Sequence, residues 1–482
     1  MRALRHAALR TSLWAFAETW GTRLISMAVF LLMARLLAPA VFGVVALAQV
    51  YLIVLQALCE QGIPAALIQR PELEAEHKNS AFWANQVVGV ALALLTLALA
   101  EPLAALYGEP RLVPVLCCYS LMPVMFSLAV VQTALAQREL RYRDLAARKT
   151  IGALAGALAA MAMALAGLGI AALVGQVLVD QAVAAIALWS ISSWRPRLAF
   201  SRRHLGDLFR FGLSQMATDM VWAMSEQADR MLLGSLGAVA VGYYSVAQRM
   251  RSLMGDLLGG STQNAILPLF ARIADDRERV VRGLQTAQTT LSIIVIPVGV
   301  GLAVVAPGLI RFAIGARWAP SIVPAQIMIC AQLIYWLGYF FGPVMTSLGR
   351  PEVRLRIAIL RALTLMVLLV LGLRYGIAGV AAAFLISHAI FYGIELAVLR
   401  ELVAFSVPRY LGALIKPCIA AAAMVVPLIK LGQILAPHHL GLALAAQLVA
   451  GAAIYAVVLT ALARERVAEI AALAGQLRRQ PY

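Results

Sequence analysis

Residues 208–234 read LFRFGLSQMATDMVWAMSEQADRMLLG. The stretch is long enough to cross a bilayer and mostly apolar. Within it, Gln215, Asp219, Trp222, Glu226 and Arg230 recur at i, i+4, i+7, i+11 and i+15. On a helix that spacing puts all five on one face. A charge held in hydrocarbon costs about 3 kcal/mol or more, so such a face is expected to look into a bundle interior or a watery cavity. Gln49, Gln56 and Glu60 repeat the pattern at i, i+7 and i+11. Apolar helices with polar inner faces point to an all-α polytopic membrane protein with a transport pathway.

Composition agrees. Of 482 residues, 62% are hydrophobic and 13% charged, and the mean hydropathy is +0.86. A helix crossing a ~30 Å hydrocarbon core needs about 20 apolar residues. About fourteen stretches qualify on that basis: 12–37, 41–68, 80–100, 112–136, 149–167, 170–193, 208–234, 240–268, 284–306, 320–348, 357–374, 377–399, 412–435 and 440–463. The alternating short strands of a membrane barrel are absent from the pattern. The first stretch carries Glu18 and Arg23 and is too long and polar for a cleaved signal sequence, so it reads as an uncleaved anchor.

The net charge of +17 is organised by topology. With the N-terminus in the cytoplasm, 30 of the 40 Lys and Arg residues fall on that side, six fall on the far side, and four lie within spans. This is the positive-inside pattern. It predicts both termini in the cytoplasm and leaves no case for nucleic acid. The cysteines, Cys59, Cys117, Cys118, Cys330 and Cys418, lie in apolar spans without CxxC spacing and read as small buried hydrophobes. His438 and His439 have no third ligand nearby, so no metal is expected.

The two halves resemble each other. Ala38 to Gly43 followed by Ala48-Gln49 matches Gly237 to Gly242 followed by Ala247-Gln248, at an offset of 199. Tyr107-Gly108 matches Ile314-Gly315, and Gly169-Ile170-Ala171-Ala172 matches Gly376-Ile377-Ala378-Gly379, both at an offset of 207. An even number of spans per repeat predicts parallel repeats. The expected organisation is a six-helix N-lobe at 1–200, a six-helix C-lobe at 201–405, and two further spans with a basic amphipathic tail over 406–482.

Polar residues concentrate in symmetry-related spans. Span 1 carries Glu18 and Arg23, span 7 the Gln215–Arg230 stripe, span 2 Gln56 and Glu60, and span 8 Arg249, Arg251 and Asp256. Span 6 adds Gln176 and Asp180, and span 12 adds His388 and Glu395. Two readings are open. In one, Arg23, Arg230, Arg249 and Arg251 attract an anionic substrate while Glu18, Gln56, Glu60, Asp180, Gln215, Asp219 and Glu226 balance or couple them. In the other, the same residues make interhelical ion pairs and touch no substrate. Glu395 is expected to pair with Arg400, and His388 to be a core histidine. No Walker, GxSxG, HExxH or dinucleotide motif occurs, so neither an enzyme activity nor an organic cofactor is expected.

Three stretches carry a family resemblance: Gln227-Ala228-Asp229-Arg230-Met231-Leu232-Leu233-Gly234-Ser235-Leu236-Gly237 running into Gly242 to Met250; Ile266 to Asp276; and Ala34 to Pro39 with Phe42-Gly43. Through them the chain resembles the polysaccharide-exporter flippases of the multidrug/oligosaccharidyl-lipid/polysaccharide superfamily, in particular the Wzx-type O-antigen and colanic-acid-type branches. The resemblance implies a bilobed transporter of the bacterial inner membrane. It would move an undecaprenyl-diphosphate-linked oligosaccharide by alternating access, coupled to H+ or Na+ or driven by substrate flux. Membrane lipids, glycosyltransferases and a polysaccharide polymerase would be its working partners. It also implies that the cavity arginines of the family correspond to Arg23, Arg230, Arg249 and Arg251. The alternatives are a lipid II flippase, a cation-coupled multidrug antiporter, whose acidic residues would lack matched arginines, and an O-antigen polymerase or ligase, which would need a longer far-side loop.

Overall fold

The computed structural model describes residues 21, 23–60, 62–70, 72–258, 266, 269–403, 406–435 and 439–464. Every regular element among them is helical. This follows from the solvent: in lipid each backbone N–H and C=O must bond within its own segment. The helices are α1 over 23–36, α2 (Pro39–Glu60), α3 (Ile63–Gln69), α4 (Ala75–Tyr107), α5 (Leu112–Tyr119), α6 (Leu121–Arg138), α7 (Tyr142–Leu165), α8 (Ile170–Ile191), α9 (Arg202–Leu233) and α10 (Ala238–Leu258). They continue with α11 (Arg277–Ile314), α12 (Ile322–Leu337), α13 (Phe341–Ser347), α14 (Pro351–Leu373), α15 (Gly376–Val403), α16 (Val407–Leu435) and α17 (Leu440–Leu462).

Among the described residues, eleven segments are long and apolar enough to cross a membrane, against the fourteen expected of the whole chain. The stretch 208–234 and the part 240–258 of the next lie in long helices, α9 and α10, which are not among those segments. Of the stretch 12–37, residues 12–20 and 22 fall outside the described residues, as does the amphipathic tail beyond residue 464. Several expected spans are broken where the sequence has punctuation. Gly62, at φ 66°, separates α2 from α3. The stretch 320–348 divides into a 3-10 turn, Ala316–Ser321, then α12 and α13. Pro297 and Pro307, in contrast, sit inside one continuous helix of 38 residues.

The chain divides into two compact units, Met1–Ser245 and Val246–Tyr482. In the first, α7 and α8 make the closest pair. Gly152 and Gly156 lie one turn apart on α7, and a Cβ on either would meet Asp180 or the Gln176 carbonyl of α8 at 2.6–2.9 Å. This is the small-xxx-small device by which membrane helices approach. A core of Ile63, Leu67, Phe82, Val131, Ala134 and Leu208 joins α3, α4, α6 and α9. Arg138, at the end of α6, donates from Nη1 to the carbonyls of Leu67 (2.9 Å) and Ile68 (3.3 Å), satisfying orphan acceptors at the end of α3. The outer face of α4 presents Val87, Val90, Leu94 and Leu97, all exposed and one or two turns apart, as a lipid-facing stripe requires.

Two close contacts within the first unit repeat the internal symmetry. A Cβ on Gly43 would run into the Ala238 carbonyl, and a Cβ on Gly242 into the Pro39 carbonyl. These are the residues matched at offset 199, so α2 and α10 meet reciprocally at their first turns. The other matched glycines also share jobs. Gly108 and Gly315 end α4 and α11 with φ of 61° and 98°, and Gly169 and Gly376 precede or open α8 and α15 with φ of 55° and 67°. Only glycine enters that region without a Cβ penalty.

In the second unit a core of Phe340, Phe341, Phe391, Leu399, Tyr410 and Leu414 ties α13, α15 and α16. The last two helices pack on α11, where Tyr455 Oη donates to the Ile293 carbonyl at 2.8 Å, and on each other, where Gln447 Nε2 donates to the Leu428 carbonyl at 2.8 Å.

Candidate functional site

In the first unit the polar residues of the spans are placed as follows. Arg23 is half-buried on α1, and Glu18 lies outside the described residues. Gln56 is exposed on α2 and donates from Nε2 to Glu60 Oε1 at 3.0 Å, one turn on. Asp180 is half-buried on α8 against Gly152 and Gly156. The helix α9 runs unbroken from Arg202 to Leu233, so the stripe positions share one face. The side chains of Gln215 and Asp219 are outside the described residues. Glu226 is exposed, and Arg230 is half-buried and donates from Nη1 to Gln227 Oε1 at 3.1 Å. Asp229 is fully buried. It accepts from Tyr244 Oη at 2.8 Å and from the Arg230 N–H at 2.7 Å, which makes it a tie between α9 and α10.

In the second unit Arg249 and Arg251 are half-buried on α10. The Arg251 guanidinium lies 5.7 Å from the Phe384 ring of α15, within cation–π reach. Nearby, α12, α13, α14 and α15 enclose a cavity of about 240 Å³. Its polar lining is Arg354 and Arg361 from α14, His388 and Glu395 from α15, and Tyr335 and Tyr339 from α12 and the turn after it. Arg361 Nη2 donates to Glu395 Oε1 at 2.6 Å, while its buried Nε has no acceptor among the described residues. Arg354 Nη1 donates to Thr346 Oγ1 at 3.2 Å. His388 Nδ1 donates to the Phe384 carbonyl at 2.7 Å, which leaves Nε2 as its other polar atom.

The sign of this lining is decisive for chemistry. Two guanidiniums face one carboxylate, so the cavity keeps a surplus of positive charge and spare donors. Such a site favours an anion, and its aromatic walls suit the faces of sugar rings.

The sequence profile of a family described as "Polysaccharide biosynthesis protein" matches residues 32–323, more than half of the chain. The chain belongs to this polysaccharide biosynthesis family.

Individual relatives agree with the family. The succinoglycan biosynthesis transport protein ExoT of Rhizobium meliloti is 27% identical over 72% of this chain and 71% of its own length. The lipopolysaccharide biosynthesis protein WzxC of Escherichia coli is 23% identical over 80% of each chain. Among solved structures, the lipid II flippase MurJ, in an inward closed conformation, superposes with a TM-score of 0.76 at 15% identity, covering 95% of this chain and 100% of that one. A multidrug resistance MATE family transporter of the MOP superfamily superposes at 0.64, with 15% identity over 80% and 94%. The chain therefore has the polytopic helical fold of these two solved transporters.

For this family member one expected pairing is corrected. Glu395 bonds Arg361, not Arg400, because α14 and α15 pack side by side and bring the two together from 34 positions apart. In the charge pattern Arg354 and Arg361 count only as cytoplasmic cations. Their i, i+7 spacing matches that of His388 and Glu395 on the facing helix, and this paired spacing is the sequence signal for the cavity.

Proposed function

We infer that the protein is a non-enzymatic flippase, moving an undecaprenyl-diphosphate-linked oligosaccharide across the bacterial inner membrane during polysaccharide biosynthesis by alternating access. The observation that carries this reading is the Arg354–Arg361 cavity: cationic, partly aromatic, and set in apolar helices of a polysaccharide biosynthesis family member. A cavity of about 240 Å³ is below the ~300–1,000 Å³ of a drug-sized site. It fits one diphosphate or one sugar, while the rest of the glycan and the polyprenyl chain lie elsewhere. The positive surplus also disfavours a multidrug antiporter, whose cationic cargo it would repel.

We also propose Arg23, Arg230, Arg249 and Arg251, the arginines of the sequence spans, as further anion contacts along the substrate's path. Arg230→Ala, Arg251→Ala and Arg354→Ala are each expected to lower surface glycan at least fivefold with membrane abundance unchanged, and Arg→Lys to restore it only in part, because a lysine cannot make a bidentate contact. Normal glycan in all three and in the triple variant would remove these residues from the substrate path.

Both termini are placed in the cytoplasm, supported by the distribution of the 40 basic residues. In a cysteine-free background, a cysteine at position 438 should react with an impermeant maleimide in intact cells, and one at position 206 only after lysis. The opposite pattern would invert the topology. The working partners are then glycosyltransferases that supply the lipid-linked glycan on the inner leaflet and a polymerase that consumes it on the outer.

A further inference from the structure

By sequence, His438 and His439 are the obvious pair for metal chemistry, and they have no third ligand nearby. The fold assembles a different group in the first unit. Glu74 precedes α4, His77 is in its first turn, and His204 is in the first turn of α9. One ligand atom from each lies within 4.8 Å of the other two, and among the described residues this is the one such trio. The helix α4 has 33 residues, about 50 Å at 1.5 Å per residue. It outruns the ~30 Å hydrocarbon core, so its first turn projects beyond the lipid.

Three features make the trio a built site. His77 is 1% exposed, and neither ring nitrogen has a hydrogen-bond partner among the described residues. An imidazole buried with both polar atoms idle is costly unless something binds it. His204 is oriented from behind: its Nδ1 bonds Ser201 Oγ at 2.7 Å, and the Ser201 N–H donates to Ser80 Oγ of α4 at 2.8 Å. That leaves His204 Nε2 facing the Glu74 carboxylate as the ligand atom, with a hydrogen-bond partner behind the ring to orient it, as metal-binding histidines have. Finally, His204 Nε2 and Glu74 Oε2 are 3.3 Å apart. Bonds of 2.0–2.2 Å in a tetrahedron put donor atoms about 3.4 Å apart, so this edge already has the right length. The His77 ligand atom lies within 4.8 Å of the other two, so it needs to close by at most about 1.4 Å to reach that edge length. The His77 ring stands edge-on to that of His204, with centroids 4.4 Å apart. Asp207, one turn further along α9, is held by Arg70 at 3.2 Å and offsets the charge of that arginine.

We propose that Glu74, His77 and His204 bind a divalent cation of the Zn²⁺ class, with water in the fourth position, and that the ion fastens the start of α9 to the start of α4. Two imidazoles and a carboxylate are borderline ligands that suit Zn²⁺ better than Mg²⁺ or Ca²⁺. The test uses the full chain, purified in detergent without a histidine tag and stripped with EDTA. Competition against a chromophoric chelator should give one Zn²⁺ per chain. His77→Ala and His204→Gln should each weaken binding at least tenfold, and the double change His438→Ala with His439→Ala should leave it intact. Co²⁺ should give the visible absorption of a four-coordinate site. Zn²⁺ should raise the melting temperature of the parent and of the His438/His439 variant, but not of the His204→Gln variant, whose unfolding transition without metal shows whether it folds. Absence of stoichiometric binding, or binding and melting shifts that survive His204→Gln, would overturn the proposal and leave the Glu74–His204 contact a simple ion pair.

Discussion

Gly43→Ala and Gly242→Ala are each expected to destabilise the protein by roughly 3 kcal/mol, the upper end of the range for overpacking a tight interface. The added methyl group of either variant would occupy the position of a backbone carbonyl oxygen, Ala238 in one case and Pro39 in the other. A side chain could rotate away, but a helix backbone cannot without separating α2 from α10. The sign of the effect is diagnostic. Gly206 and Gly412 are also helical, and a methyl group added to either would have nothing within 4 Å. There, Gly→Ala should stabilise by about 0.5–1 kcal/mol, through the entropy that glycine loses on folding. Thermal unfolding of the four variants in detergent should therefore split two and two. Equal shifts in all four would mean that the α2–α10 crossing is not closely packed.

Arg361→Met is expected to cost about 2–3 kcal/mol, because it strands the Glu395 carboxylate, whose side chain is only 15% exposed. Breaking one partner of a buried pair is costly, whereas replacing both by apolar groups is often neutral. The double variant Arg361→Met with Glu395→Leu should therefore recover most of the melting temperature. It should not recover glycan export, since the cavity would have lost half of its guanidinium charge. Full recovery of both properties would make the pair purely structural and shift the substrate site elsewhere. A double variant as unstable as the single would show that the arginine stem packing against Phe391, 5.3 Å from its guanidinium, matters more than the charge.

Much of the fold is legible in the chain because lipid restricts the choices. Hydropathy locates the helices, and polar residues spaced by whole turns share one face of α9. The matched glycines mark equivalent helix ends. Partners across space are not legible. Periodicity assigns a residue to a face but does not say what that face meets. Arg361 counts with the loop cations, yet α14 starts at Pro351 and carries Arg361 three turns in, opposite Glu395. Arg138 reads as a topological charge, and it caps α3. The trio at the start of α4 is invisible for the same reason: Glu74 and His77 are separated from His204 by more than 120 positions of sequence, and helix packing alone unites them. The stripe itself reads correctly as a face, but its roles are chemical and depend on what occupies the cavity. Asp219 and Glu226 lie three turns and one turn from Arg230 on that face, and we propose that they couple flipping to a gradient by exchanging an arginine partner for a proton.

The direct test is transport by the purified protein in liposomes. A fluorescent undecaprenyl-diphosphate-linked glycan, extracted from cells that make it, is placed in both leaflets, and an impermeant quencher reports arrival at the outer one. The protein should accelerate arrival at least tenfold over empty liposomes. Arg354→Ala should slow it, and the response to an imposed proton or sodium gradient should vanish in Asp219→Asn with Glu226→Gln. Flipping that is insensitive to either gradient and unchanged in that double variant would leave a passive flippase. No acceleration over empty liposomes, with or without a gradient, would contradict the assignment as a flippase of lipid-linked glycans.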